Sequence, residues 1–254
     1  MKDNMWKIMR IRQGQTPRDA AGFLGGAHAK EEYNVTFWCW AVWNETHKIL
    51  IDTGIHPEDE HPWYTNIPIK IAPEEKLPVQ LKEHLGWEPE DVDIVIHTHL
   101  HYDHAGNDYL FKNAKFIIQR DEFEYGMNCP ETGFGFAFNK KRYDKNAVPY
   151  FNWILLDGEE QVLPGIICFP THGHTVGHQS ILINTEEGAI CITGDAVNCK
   201  VSIDEDFNAG PLTSGWEQKE SYKKIRQVAQ RIISSHDINS VEVYDHQTRD
   251  FSLL

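Results

Sequence analysis

The stretch HTHLHYDHAGN, His97 to Asn107, sets four histidines and an aspartate within eight residues. A solvated loop has no need of so many imidazoles, whereas a metal site does. Imidazole nitrogen and carboxylate oxygen are borderline and hard donors, suited to zinc, iron, manganese or cobalt. The residues just before, Ile94 to His97, read as a strand, and a loop leaving it can bring His99, His101, Asp103 and His104 together, two ligands per metal. A second window, HGHTVGHQS from His172 to Ser180, holds three more histidines. The two windows carry half of the fourteen in the chain, a concentration that chance would not produce.

Working outward, short apolar runs read as strands at Trp6 to Ile11, Val35 to Val42, Lys48 to Asp52 and Lys115 to Gln119. A later series comprises Gly165 to Phe169, Gln179 to Asn184, Ala189 to Thr193 and Val241 to Tyr244. LPVQLKEHLG reads as a short helix, with Pro78 in its first turn and Gly86 at its carboxyl cap. SGWEQKESYKKIRQVAQRI reads as a longer one, with Ser214 and Glu217 as a capping box and Tyr222, Ile225, Val228, Ala229 and Ile232 on one apolar face. Two strand-rich halves, each with helix, predict an α/β architecture of two sheets packed face to face with helices outside.

At 254 residues and 41% apolar side chains the chain can bury a full core, and no linker, repeat or charge block divides it, so a single domain over residues 1–254 is expected. A net charge of −14 disfavours nucleic acid and anionic membranes as partners. The amino-terminal MKDNMWKIMRIRQGQ alternates rather than running apolar, so no membrane span or signal peptide is read there and a cytoplasmic setting is expected. Five scattered cysteines without a CxxC pair fit free thiols.

The run THLHYDH, Thr98 to His104, resembles the THxHxDH signature of the metallo-β-lactamase superfamily. Further landmarks follow in that family's order: ILIDTG at Ile49 to Gly54, HGHTVGHQS, TGDA at Thr193 to Ala196 and SHD at Ser235 to Asp237. The resemblance spans roughly Val35 to Asp237. It implies an αββα sandwich with a dinuclear site, in which His99, His101 and His174 bind one ion and Asp103, His104 and His236 the other. Asp195 then bridges the two, and Asp52 orients a ligating imidazole without touching metal. His97 reads instead as a hydrogen-bonded core residue. His172 and His178 read as loop residues that support the site from behind.

The family resemblance implies two divalent ions, zinc first, with manganese, iron or cobalt as alternatives. It implies a hydrolase in which a metal-bridging hydroxide attacks a carbonyl, with Asp103 also carrying the proton. Among the family's branches the phrases EDVDIVIHTHLHYDHAGN, LPGI and GHTVGHQSILI are most similar to the acyl-homoserine lactonases, so the expected substrate is a small cyclic molecule, a lactone in the first place. One position departs: where those lactonases carry a tyrosine three residues after the bridging aspartate, this chain has Asn198, expected to donate to the substrate carbonyl. That leaves open a lactam, a cyclic ketone or diketone opened by C–C cleavage, a glyoxalase II-type thioester, a diiron redox centre, or a metal-stabilised scaffold without turnover. The aromatic segment from Glu122 to Trp153, with Phe134, Phe136, Phe138, Tyr143 and Phe151, reads equally as a cap over the metals or as core and homodimer contact. Gly22 to Asn34, with a solvated His28, is a second candidate wall.

Overall fold

Runs of isoleucine, valine and aromatic residues become the strands of two mixed sheets, as the α/β expectation requires. The computed structural model describes residues 5–19, 23–24, 32–56, 69, 71–129, 152–210, 212–229 and 231–237. It divides into two compact units, one formed by Lys7–Thr16 with Phe37–Asp157 and the other by Met1–Trp6, Pro17–Thr36 and Gly158–Leu254.

A six-stranded sheet runs in the spatial order of the sequence: β1 (Lys7–Asp19), β2 (Glu32–Trp43), β3 (Lys48–Ile51), β4 (Ile94–Ile96), β5 (Lys115–Gln119) and β6 (Asn152–Leu156). The β2 and β3 strands are antiparallel, while β3 to β6 are parallel. The register pairs Ile51 with Ile96, the last residues of β3 and β4, so Asp52 and His97 leave the sheet at one edge. Ligand sites in parallel sheets form at such carboxyl-terminal edges. Helix α1 (Leu77–Gln80) continues as a wider turn over Leu81–Leu85 and stops at Gly86, whose φ of 69° only glycine adopts without strain. Leu77, Leu81 and Trp87 pack with Val95, Phe111 and Phe116 in the main core of this unit. Helix α2 (Arg120–Asn128) follows β5 directly, and Cys129 at its end joins Leu100, Ala105 and Ile118 in a second cluster.

A five-stranded sheet has the order β11, β10, β9, β8, β7, with β7 (Glu160–Leu163), β8 (Ile166–Pro170), β9 (Gln179–Thr185), β10 (Gly188–Ile192) and β11 (Arg231–Ile233). Only the pairing of β10 with β11 is parallel. Between these two strands lie α3 (Lys200–Asp204) and α4 (Gly215–Val228). Tyr222 and Ile225 of α4 pack on Phe169, Cys191, Val197 and Ile203.

The expected long helix ends at Val228, earlier than its pattern suggested. Ile232 sits on β11 opposite Cys191, because the β-branched pair Ile232 and Ile233 completes the parallel ladder with β10. Of the capping box, the Ser214 hydroxyl accepts from the Glu217 N–H at 3.2 Å. The strands β6, β7 and β11 and the helices α2 and α3 were not expected. They are short, and α2 carries no sustained apolar stripe. The described ends of the 122–153 segment are α2 and β6, whereas Phe134, Phe136, Phe138, Tyr143 and Phe151 lie outside the described residues, as do His28 and Val241 to Tyr244. All five cysteines are free and buried, and burial pushes the Cys39, Cys168, Cys191 and Cys199 thiols well up.

Two substitutions in α4 separate packing from capping. Ile225→Ala should cost about 2–5 kcal/mol by leaving a cavity, and Ser214→Ala about 1 kcal/mol by orphaning an amide. Urea denaturation of both variants should return that ranking.

Candidate metal centre

In the first unit, two donors of the histidine run, His99 and His104, are held through a single buried aspartate. Asp52 follows β3 in the left-handed region, with φ of 56°, a conformation aspartate tolerates better than most residues. There its carboxylate accepts from the Thr98 N–H and hydroxyl, both at 2.8 Å, and from His104 Nδ1–H at 2.8 Å. Because the Thr98 hydroxyl donates to Asp52, it accepts from His99 Nδ1–H at 3.0 Å. Both imidazoles are thereby fixed as Nδ1–H tautomers with the lone pair on Nε2, the form that binds metal. The His99 ring lies 4.5 Å from that of His101 and 4.1 Å from that of His104, centre to centre. Asp103 sits between them in the turn, half-buried.

The backbone of this turn is tied down as well. Thr53 and Gly54 N–H donate to the His104 carbonyl at 2.6 and 3.2 Å, and the Leu100 N–H, between two donor histidines, donates to the buried Glu122 carboxylate at 3.1 Å. Gly106 has no room for a side chain: a Cβ there would lie 2.5 Å from the His56 nitrogen. His97 is fully buried behind the run, with Nε2 at 3.0 Å from Asp108 and Nδ1 at 3.5 Å from Asp52. Burial alone would lower its pKa, but the Asp108 and Asp52 carboxylates outweigh burial and hold it at about 9. Burial would likewise raise Asp52, yet His104 and His97 hold it down at about 2.

In the second unit, His174 lies on the turn between β8 and β9, Asp195 on the single helical turn Gly194–Val197 after β10, and His236 just beyond β11. His174 Nε2 is 3.3 Å from Asp195 Oδ2, and His236 Nε2 is 3.2 Å from each Asp195 oxygen. His236 Nδ1–H donates to the Thr36 carbonyl at 2.9 Å, which leaves its lone pair on Nε2, facing the carboxylate. Two acceptors that close are repulsive unless a proton or a cation sits between them. One cation beside Asp195 relieves both histidine contacts at once, and the buried nitrogen and oxygen donor set suits a divalent ion. The residues therefore fit a metal.

Asn198 lies three residues after Asp195, at the end of the same helical turn. It is fully buried, its amide donates to the Gly210 carbonyl at 2.9 Å, and its own carbonyl accepts from the His236 N–H at 2.9 Å, so it braces the chain around His236. The His172 carbonyl accepts from the Ser221 hydroxyl at 2.7 Å, as suits a supporting loop residue. Asp237 holds the Tyr33 hydroxyl and the Lys200 N–H, both at 3.0 Å. Asp108, Glu122 and Tyr33 were not singled out in the sequence, where a lone acid or a lone aromatic carries no spacing signal.

A sequence profile of the metallo-beta-lactamase superfamily matches residues 38–236. An N-acyl homoserine lactonase of Bacillus thuringiensis is 32% identical over 249 residues, covering 91% of this chain and 93% of that protein. The structure of an N-acyl homoserine lactone hydrolase with the product N-hexanoyl-L-homoserine at its catalytic metal centre superposes with a TM-score of 0.79 at 26% identity, covering 96% of this chain and 97% of that one. A dizinc quorum-quenching lactonase shares the fold with a TM-score of 0.70 at 15% identity, covering 94% and 90%.

His97→Ala should cost about 3–5 kcal/mol, because it leaves the Asp52 and Asp108 carboxylates buried without the imidazole between them. Combined with Asp108→Asn the loss should be less than additive, since both changes dismantle one network. Denaturation midpoints of the two single variants and the double variant test this.

Proposed function

The chain belongs to the metallo-β-lactamase superfamily, and from that premise we propose a dinuclear lactone hydrolase built on the seven donors described above. That it is a metal-dependent lactone hydrolase follows from its lactonase relatives and its histidine and aspartate cluster. The family profile runs through both units, which we read as one domain. The proposed ligands are His99, His101 and His174 for one ion, Asp103, His104 and His236 for the other, and Asp195 for both. The observation that carries the reading is Asp195, whose carboxylate lies against two imidazoles.

When bound, the ions supply Lewis acidity, for a nucleophilic water and for the substrate carbonyl. The protein's own residues do the remaining work. Asp52, Thr98 and the Thr36 carbonyl hold the Nδ1 protons of His104, His99 and His236, so that Nε2 is the donor in each. Asp103 accepts the proton that water loses as its oxygen bonds to the carbonyl carbon. It returns that proton to the ring oxygen as the ring C–O bond breaks, giving a hydroxy acid. Asn198 is read as a brace of His236 in this scheme. Zinc is the first candidate for both ions. A cytoplasmic setting is supported by the five free thiols. Among the described residues no helix is long and apolar enough to cross a membrane.

Protein purified without added metal should carry two ions per chain by elemental analysis. It should hydrolyse N-hexanoyl homoserine lactone in preference to cyclic ketones and glutathione thioesters. Turnover confined to thioesters, or iron with an oxidase activity, would replace the lactonase reading. Asp195→Ala should lower metal content and turnover together, the latter by at least about 100-fold, because it removes the shared carboxylate. Full activity with one ion would rule out the dinuclear reading.

A further inference from the structure

His178 lies four residues beyond His174, fully buried, and takes no part in the proposed ligand set. Its two ring nitrogens end a chain of hydrogen bonds whose direction can be worked out. The Thr193 carbonyl can only accept, so the Ser180 hydroxyl donates to it at 3.0 Å. Ser180 must then accept from the Thr171 hydroxyl at 2.8 Å, and Thr171 in turn accepts from His178 Nδ1–H at 2.9 Å. That leaves the His178 lone pair on Nε2, where the Ala196 N–H donates at 3.3 Å. A carbonyl at one end and an amide at the other therefore demand one tautomer of one neutral imidazole.

The two ends of this chain flank Asp195: Thr193 lies two residues before it and Ala196 one residue after. The middle of the chain is the turn that carries His174, itself closed by the Thr171 N–H donating to the His178 carbonyl at 2.9 Å. The His178 ring also meets the His174 ring edge-on, with centres 6.0 Å apart. The turn is pinned from its other side by Gly173, where φ is 129° and a Cβ would fall 2.4 Å from the Gln218 nitrogen. Thr171, His178, Ser180 and Thr193 are all fully buried, so water does not compete for their hydrogen bonds.

We infer that His178 is a positioning residue that clips the Asp195 turn to the His174 turn, setting the spacing of two metal ligands that it does not itself join. The inference rests on the proposed metal site. Its chemistry needs an acceptor at the Nε2 position and a donor at Nδ1. Glutamine places its amide near the first, asparagine near the second, and phenylalanine supplies neither while filling similar space.

The experiment measures metal affinity and chelator-driven metal release in the full chain, using cobalt(II) so that the visible spectrum reports coordination, with melting of the metal-free protein in parallel. His178→Phe and His178→Asn should bind cobalt about 10- to 100-fold more weakly, the range for losing an outer hydrogen-bond partner of a ligand. They should also shift the cobalt bands. His178→Gln should keep affinity within about threefold, because the Ala196 N–H retains its acceptor. Tyr222→Phe, which removes the hydroxyl bond to Ser202 in the same unit, serves as the control: it should lower melting without moving affinity or spectrum. Should His178→Phe not fold, Thr171→Val and Ser180→Ala break the same chain and should weaken cobalt in the same direction. If the parent binds two ions and every variant matches Tyr222→Phe, His178 is merely structural and the inference is overturned. A parent chain that takes up no metal overturns the metal site itself.

Discussion

The structure turns on a buried carboxylate set against two imidazoles, a contact that only a proton or a cation makes favourable. At Asp195 a buried carboxylate meets the Nε2 atoms of His174 and His236, and the His236 ring has already committed its proton to a backbone carbonyl. Removing charge and lone pairs from water is costly unless something of opposite sign compensates. A proton held on an imidazole can supply that compensation, and so can a cation, so the two compete for the same lone pairs. Metal affinity at such a site falls as pH falls, because protons take the place of the ion.

Around that constraint the protein spends its other buried polar groups on orientation. Asp52 accepts three hydrogen bonds from a backbone angle that most residues avoid, and through them decides which nitrogen of two histidines is protonated. His97 and Asp108 in turn hold Asp52, so the network is at least two layers deep. Such depth suits a site whose donors come from loops, which have little rigidity of their own.

Much of this was legible in the sequence. The ligand candidates could be picked out because metal chemistry restricts donors to a few residue types and the run from His99 to His104 packs them too densely for chance. The strands β3, β4 and β5 were legible from short unbroken apolar runs, the sign of burial on both faces. The end of α4 was not, because a helical stripe and a short buried strand share Ile232, and only pairing with Cys191 decides between them. Nor was the role of Asn198 legible. The side chain's bond to Gly210 depends on a loop twelve residues away whose path no local pattern encodes. The depth of the Asp52 network escaped for the same reason: Asp108 differs from any surface aspartate only by where the fold carries it.

The five cysteines lend themselves to a use unrelated to the metal. Each is buried, and they are spread over β2, the end of α2, β8, β10 and the segment before α3. A thiol enclosed in this way reacts with an alkylating reagent only when its surroundings open, so the modification rate of each measures the local opening equilibrium of its own element. The chain thus contains five built-in probes of native-state breathing, three in one unit and two in the other. Peptide mapping after timed labelling would read them separately, without introducing any foreign residue.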